Sequence, residues 1–142
     1  MDADPYDLER FLAAQDRGAT YERALGELRA GLKTGHWMWF VFPQIAGLGT
    51  SPTSRAFAIS SLAEARAYLA HGVLGPRLRE CARVLLELEG RSAAQIFGGV
   101  DAMKLRSSMT LFLRAAPGEE LFAEVLGRYF ASEADPATDA RI

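Results

Sequence analysis

Apolar residues recur at helical spacing along most of the chain, and one stretch breaks the pattern. Asp4 and Pro5 form a capping pair ahead of Leu8, Phe11 and Leu12, which predicts a first helix reaching about Gln15. Asp16, Gly18 and Thr20 mark a turn. Tyr21, Ala24, Leu25, Leu28 and Leu32 then share one helical face, with Lys33 in the last turn and Gly35 expected as the C-terminal cap. Ser61 and Glu64 have capping-box spacing before Leu62, Ala65 and Leu69, and a turn is expected at His71-Gly72. Gly75-Pro76 opens a longer helix striped by Leu78, Cys81, Ala82, Leu85 and Leu88 up to Gly90. Ser92 and Gln95 repeat the capping-box spacing ahead of a short helix that Gly98-Gly99 should stop. Asp101 is expected to cap the next one, which runs to about Ala116. Phe122, Val125, Leu126 and Tyr129 mark a last helix ending near Ala131.

The exception is His36-Trp37-Met38-Trp39-Phe40-Val41-Phe42-Pro43-Gln44, which is apolar on both alternating faces and has no helical period. It is expected to be extended or irregular and largely buried, with a small sheet pairing residues 37–42 with 55–60 as one arrangement. Residues 46–54, rich in glycine, proline and hydroxyls, read as a loop. The fold class is therefore mainly α: one compact domain of about six to seven helices over residues 1–131, enclosing the aromatic segment. A polar C-terminal tail over 132–142 is expected to fray.

Composition narrows the chemistry. The chain's 142 residues are enough for one domain with a real core, and 49% hydrophobic with 24% charged residues is ordinary for a globular protein. With 16 basic and 18 acidic residues the net charge is −2, so no nucleic-acid or membrane partner is expected. Two histidines and one cysteine, scattered in sequence, do not form a zinc site, and no cofactor is implied. The lone Cys81 and an acidic amino terminus unlike a signal peptide point to a cytoplasmic protein.

Polar residues in apolar surroundings mark where a ligand would sit. Gln15 lies on the core face of the first helix, so its amide must either tie down backbone or meet a ligand. Lys33, His36 and Gln44 bracket the aromatic segment. With Trp37 and Trp39 they supply the donors and flat walls of a small-ligand pocket, although the aromatic rings could equally be core. Ser51 and Ser54 lie in a loop able to offer hydroxyls and backbone N–H groups to an anion, or simply to connect two elements. Lys104, Arg106 and Ser108 border the apolar stripe of a late helix near its start, where cations favour an anion over the helix itself; a solvated charged face is the alternative. No catalytic residue is assigned. For cleavage of an N-glycosidic bond the nearest carboxylate by sequence is Asp101.

The segments FLAAQ, GLKTGHWMWFVFPQIAGLGTSPTS and IFGGVDAMKLRSSMTLF, spread over about residues 8 to 130, resemble an uncharacterised bacterial family carried as a domain of unknown function. Its members are sometimes labelled "calpastatin". That name implies a disordered inhibitor, and the helical, core-rich pattern argues against it. A more distant similarity, resting on a helical domain with tryptophan and a late basic-Met-Phe helix, is to the NADAR proteins associated with ADP-ribose and related N-glycosides. Two functions are carried forward. One is a pocket for a small anionic or nucleotide-derived, ADP-ribose-like ligand, with N-glycoside hydrolysis as its enzymatic form. The other is an interaction or homodimerisation module that uses an exposed aromatic segment.

Overall fold

The helical stripes become the walls of one core. The computed structural model describes residues 3–142, and its elements in chain order are α1 (Glu9–Asp16), a 3-10 turn (Arg17–Ala19), α2 (Thr20–Ala30), α3 (Met38–Val41), α4 (Pro52–Ala56), α5 (Leu62–Ala70), α6 (Leu74–Glu87), α7 (Ala93–Ala115), α8 (Glu120–Phe130) and α9 (Pro136–Asp139). α7 is the central rod, packed against α5, α8 and α9, while α6 closes the core between α5, α8 and α2. Leu105, Met109, Leu111 and Phe112 are buried on more than one side of α7 because neighbours surround it. Phe112 lies 5.5 Å from Tyr68 of α5 and 5.8 Å from Phe122 of α8, between ring centroids. The fold is a mainly helical single domain, and no described helix is long and apolar enough to cross a membrane.

The caps decide several boundaries. Ser92 and Gln95 form a complete capping box, and Ser61 Oγ accepts the Glu64 N–H as its spacing predicts. The Glu64 carboxylate turns elsewhere, however, to Ser60 and Arg10. The Asp4 carboxylate accepts the N–H groups of Leu8 and Glu9, but Asp7 enters the left-handed region (φ 52°), so α1 starts four residues later than Asp4-Pro5 suggests. Gly31 (φ 72°), not Gly35, ends α2, because the N–H of Leu32 reaches back to the Glu27 carbonyl and closes a Schellman-type turn.

The aromatic segment departs from expectation in form but not in burial. Residues 38–41 make one helical turn instead of a strand, with Trp37, Met38, Val41 and Phe42 buried. Among the described residues the only β pairing is a single parallel bridge, Ile45 to Ile59. The expected break at Gly98 is present as a kink (φ 78°, ψ 165°), and helix resumes at once beyond it, so α7 is two helical pieces joined at Gly98.

The polar C-terminal stretch is held rather than frayed. Arg106 donates to the carbonyls of Glu133 and Ala134, and Asp135 accepts from Ser107 and Thr138, so α9 is strapped onto α7. These anchors are single polar side chains on a helix 25 or more residues away, which helical periodicity does not register.

Candidate functional site

The site begins with Glu27, near the end of α2. Its Oε1 accepts the backbone N–H groups of Thr34 and Gly35 and the indole N–H of Trp37, folding the 31–37 loop back over the helix. These donors, outweighing the effect of burial, hold its carboxyl below the usual carboxylate range. Space is tight at Gly35: a Cβ there would sit 3.0 Å from the Trp37 ring and 3.2 Å from the Glu27 carboxylate, so one of them would have to give. The Lys33 N–H bonds to the Ile96 carbonyl of α7 at 2.7 Å, tying the same loop to the stretch just before the Gly98 kink.

That geometry brings Lys33 to Asp101. Lys33 Nζ is 2.7 Å from Asp101 Oδ2, and Lys104 Nζ, one turn along α7, is 3.1 Å from Oδ1. Each ammonium also sits over an indole, Lys33 5.1 Å from the centre of the Trp37 ring and Lys104 4.6 Å from that of Trp39. Burial would raise the Asp101 pKa, but the two lysines outweigh it and hold the carboxyl below its ordinary value. Asp101 is thus the bridge between two cations rather than the helix cap its position suggested.

A cavity of about 330 Å³ opens beside this triad, lined by Lys33, His36, Met38, Trp39, Phe40, Ser51, Thr53, Asp101 and Lys104. Two ammonium groups against one carboxylate leave it a net positive charge, with one indole face and two hydroxyls at hand. Such a wall can hold an anion and stack a flat ring. Among the described residues no group of histidine, cysteine, aspartate and glutamate is arranged to hold a metal ion.

Of the residues singled out in the sequence, Lys33, His36, Trp39, Ser51, Asp101 and Lys104 meet at this cavity. The others do not. Trp37 is 2% exposed and lies beneath Lys33 as part of an aromatic cluster with Phe42 and Phe97. Gln15 is a structural amide: its Nε2 donates to the Phe40 carbonyl (2.8 Å) and to the Tyr68 hydroxyl (3.1 Å), and its Oε1 accepts from Arg77. Arg106 faces the C-terminal segment, as described above. Ser54 is buried in α4, donating to the Ser51 carbonyl, while Ser51 Oγ caps that helix by accepting the Ser54 N–H. Gln44 and Ser108 are buried, and Gln44 Nε2 and Ser108 Oγ have no hydrogen-bond partner among the described residues. Sequence reading missed Met38, Phe40 and Thr53 as lining residues, and nothing in their local spacing distinguishes them from core or loop.

With this geometry in view, the comparisons with known proteins concern the whole chain. Residues 5–142 match the family described as "Protein of unknown function (DUF1810)". The chain belongs to that family. A solved relative, the conserved hypothetical protein Rv1873 from Mycobacterium tuberculosis, is 51% identical over 96% of each chain and superposes with a TM-score of 0.93. No curated protein matches. The match extends to the C-terminal residue, so the segment strapped by Arg106 and Asp135 is part of what the family shares.

Proposed function

We propose that the cavity beside Lys33, Asp101 and Lys104 binds a small anionic ligand derived from a nucleotide. The observation that carries this is the convergence of two lysines, from different parts of the chain, on one carboxylate at the edge of a concave, aromatic-walled hollow. An isolated surface ion pair needs neither the second cation nor the indole beneath each of them. An incoming phosphate would compete with Asp101 for the ammonium groups while a base lies against Trp39. An ADP-ribose-like molecule, of the kind associated with the NADAR proteins, is one such ligand.

The site favours binding over N-glycoside hydrolysis. Asp101 is ionised, as an oxocarbenium-stabilising carboxylate must be, but both its oxygens are already neutralised by ammonium groups that would oppose positive charge developing on a sugar. The interaction-module alternative needs a contiguous exposed aromatic patch, whereas within residues 36–44 only Trp39 and Phe40 among the aromatic rings are partly exposed, with Phe57 beside Phe40, and all three line concave hollows.

A thermal-shift panel of mononucleotides, ADP-ribose and inorganic phosphate tests the reading. A true ligand present at one hundred times its dissociation constant adds about 2.7 kcal/mol to stability. The reading predicts a shift with at least one phosphate-bearing member that is lost with Lys104→Met. No shift across the panel contradicts it.

A further inference from the structure

A second hollow, of about 440 Å³, adjoins the first, and the side chains of Phe40 and Thr53 line both. Its character differs. Phe57 stands edge-on to Phe40, with ring centroids 4.7 Å apart and planes at 66°, and Ala13 and Ala14 of α1 leave room opposite them. Arg17 is exposed on its rim. The wall between the hollows is fixed from behind, since the Phe40 carbonyl accepts from Gln15, whose amide is in turn held by Tyr68 and Arg77. This assigns a purpose to the buried glutamine: it sets the backbone of the ridge that the two hollows share.

Size and charge together indicate the occupant. Alone, the cavity beside Lys33 and Lys104 lies at the low end of the roughly 300–1,000 Å³ typical of small-molecule sites, and the two hollows joined reach the middle of that range. One hollow offers cations and an indole face; the other offers an aromatic, alanine-floored slot with a guanidinium at its mouth. We infer that the two hollows form one groove for a dinucleotide, with the phosphates at Lys33 and Lys104 and the second ring in the slot formed by Phe40, Phe57 and Ala14. This rests on the reading of the lysine cavity as an anion site and extends it.

Calorimetric titration of the full-length chain with AMP and with a diphosphate-linked dinucleotide such as NAD tests it, on the wild type and on Ala14→Leu, Arg17→Gln and Lys104→Met. Ala14→Leu narrows the slot, and Arg17→Gln alters only an exposed side chain, so the second variant decides if the first fails to fold. The expected result is dinucleotide binding at least tenfold tighter than AMP in the wild type. The slot variants should reduce that advantage several-fold and leave AMP unchanged, whereas Lys104→Met weakens both. A dinucleotide that binds no tighter than AMP, or whose advantage survives Ala14→Leu and Arg17→Gln, overturns the joined groove and leaves the lysine cavity standing. Failure of both molecules to bind overturns the two readings together.

Discussion

Lys33 and Asp101 lie 68 positions apart in sequence and 2.7 Å apart in the fold, and the lysine is almost wholly shielded, with its side chain 6% exposed. A lysine so placed needs a partner, because an unpaired ammonium out of water costs several kcal/mol. Asp101 supplies the partner while also holding Lys104. Replacing Asp101 by asparagine should therefore destabilise the domain, because Lys33 loses its counter-charge, and should raise the affinity for inorganic phosphate, because a competing anion is gone. Chemical denaturation and phosphate titration of Asp101→Asn measure the two effects. Weaker phosphate binding in the folded variant would mean that the carboxylate itself contacts the ligand.

Gln15 is expected to be a stability residue. Gln15→Leu fits the apolar face of α1 but strands the Phe40 carbonyl and removes partners from Tyr68 and Arg77. The expected loss is about 1–3 kcal/mol in urea denaturation. A neutral result would show that the Phe40 carbonyl finds water when the amide is gone.

Acid should unfold the protein through its low-pKa carboxylates. Glu27, Asp101 and Asp135 all have folded values below their ordinary 4.5 and 3.8. As pH falls, the unfolded chain takes up these protons first. The stability they contribute is complete above about pH 5, declines below it and is lost as pH passes through the lowered folded values. Melting temperatures should be flat from pH 8 to 6 and drop steeply below about 4.5. Glu27→Gln, which keeps the shape and removes the charge, should be less stable at pH 7 and show a shallower acid decline. An acid limb identical to the wild type would remove Glu27 from the account.

Much of the fold was legible because local rules agree with it. The capping pair Ser92 and Gln95, the break at Gly98 and the stripes of α2, α6 and α8 are set by neighbours within a few residues. What was not legible depends on distant partners. The apolar stripe running on to Leu32 does not tell that the chain leaves the helix at Gly31, nor that the Glu27 carboxylate gathers the loop beyond it, nor that Arg106 is taken up by the C-terminal segment. The continuous apolar run of residues 37–42 could not separate a strand from one largely buried helical turn. At the site, Lys33 was recognisable as a cation bracketing the aromatic segment, Trp39 as a flat wall within it, and Lys104 as a cation bordering the apolar stripe of a late helix. Gln15 and Gln44 carry the same signal and serve elsewhere.

Ser108→Ala should be neutral or stabilising by up to about 1 kcal/mol, since the hydroxyl is fully buried and has no partner among the described residues to lose. Thermal denaturation of the variant measures this. A clear destabilisation would reveal a hydrogen-bonded group or water at Ser108 Oγ.

Cys81 should be silent towards thiol reagents in the folded protein. It is fully buried in α6, and burial pushes its thiol up to about 12, leaving almost no thiolate at pH 8. Labelling should proceed only at the rate of unfolding and become immediate in denaturant. Rapid labelling of the native chain would show that α6 opens locally.

The central claim is that Lys104 lends its charge to a ligand and not to the fold. Its ion pair is partly exposed, and Asp101 keeps Lys33 when Lys104 is gone, so Lys104→Met should cost no more than about 1 kcal/mol. Calorimetric titration of a phosphate-bearing nucleotide into the wild type and into Lys104→Met, with the melting temperature of each recorded alongside, tests this most directly. The account predicts nearly equal melting temperatures and an affinity lowered at least tenfold in the variant. Equal affinities, or a variant that does not fold, would contradict it.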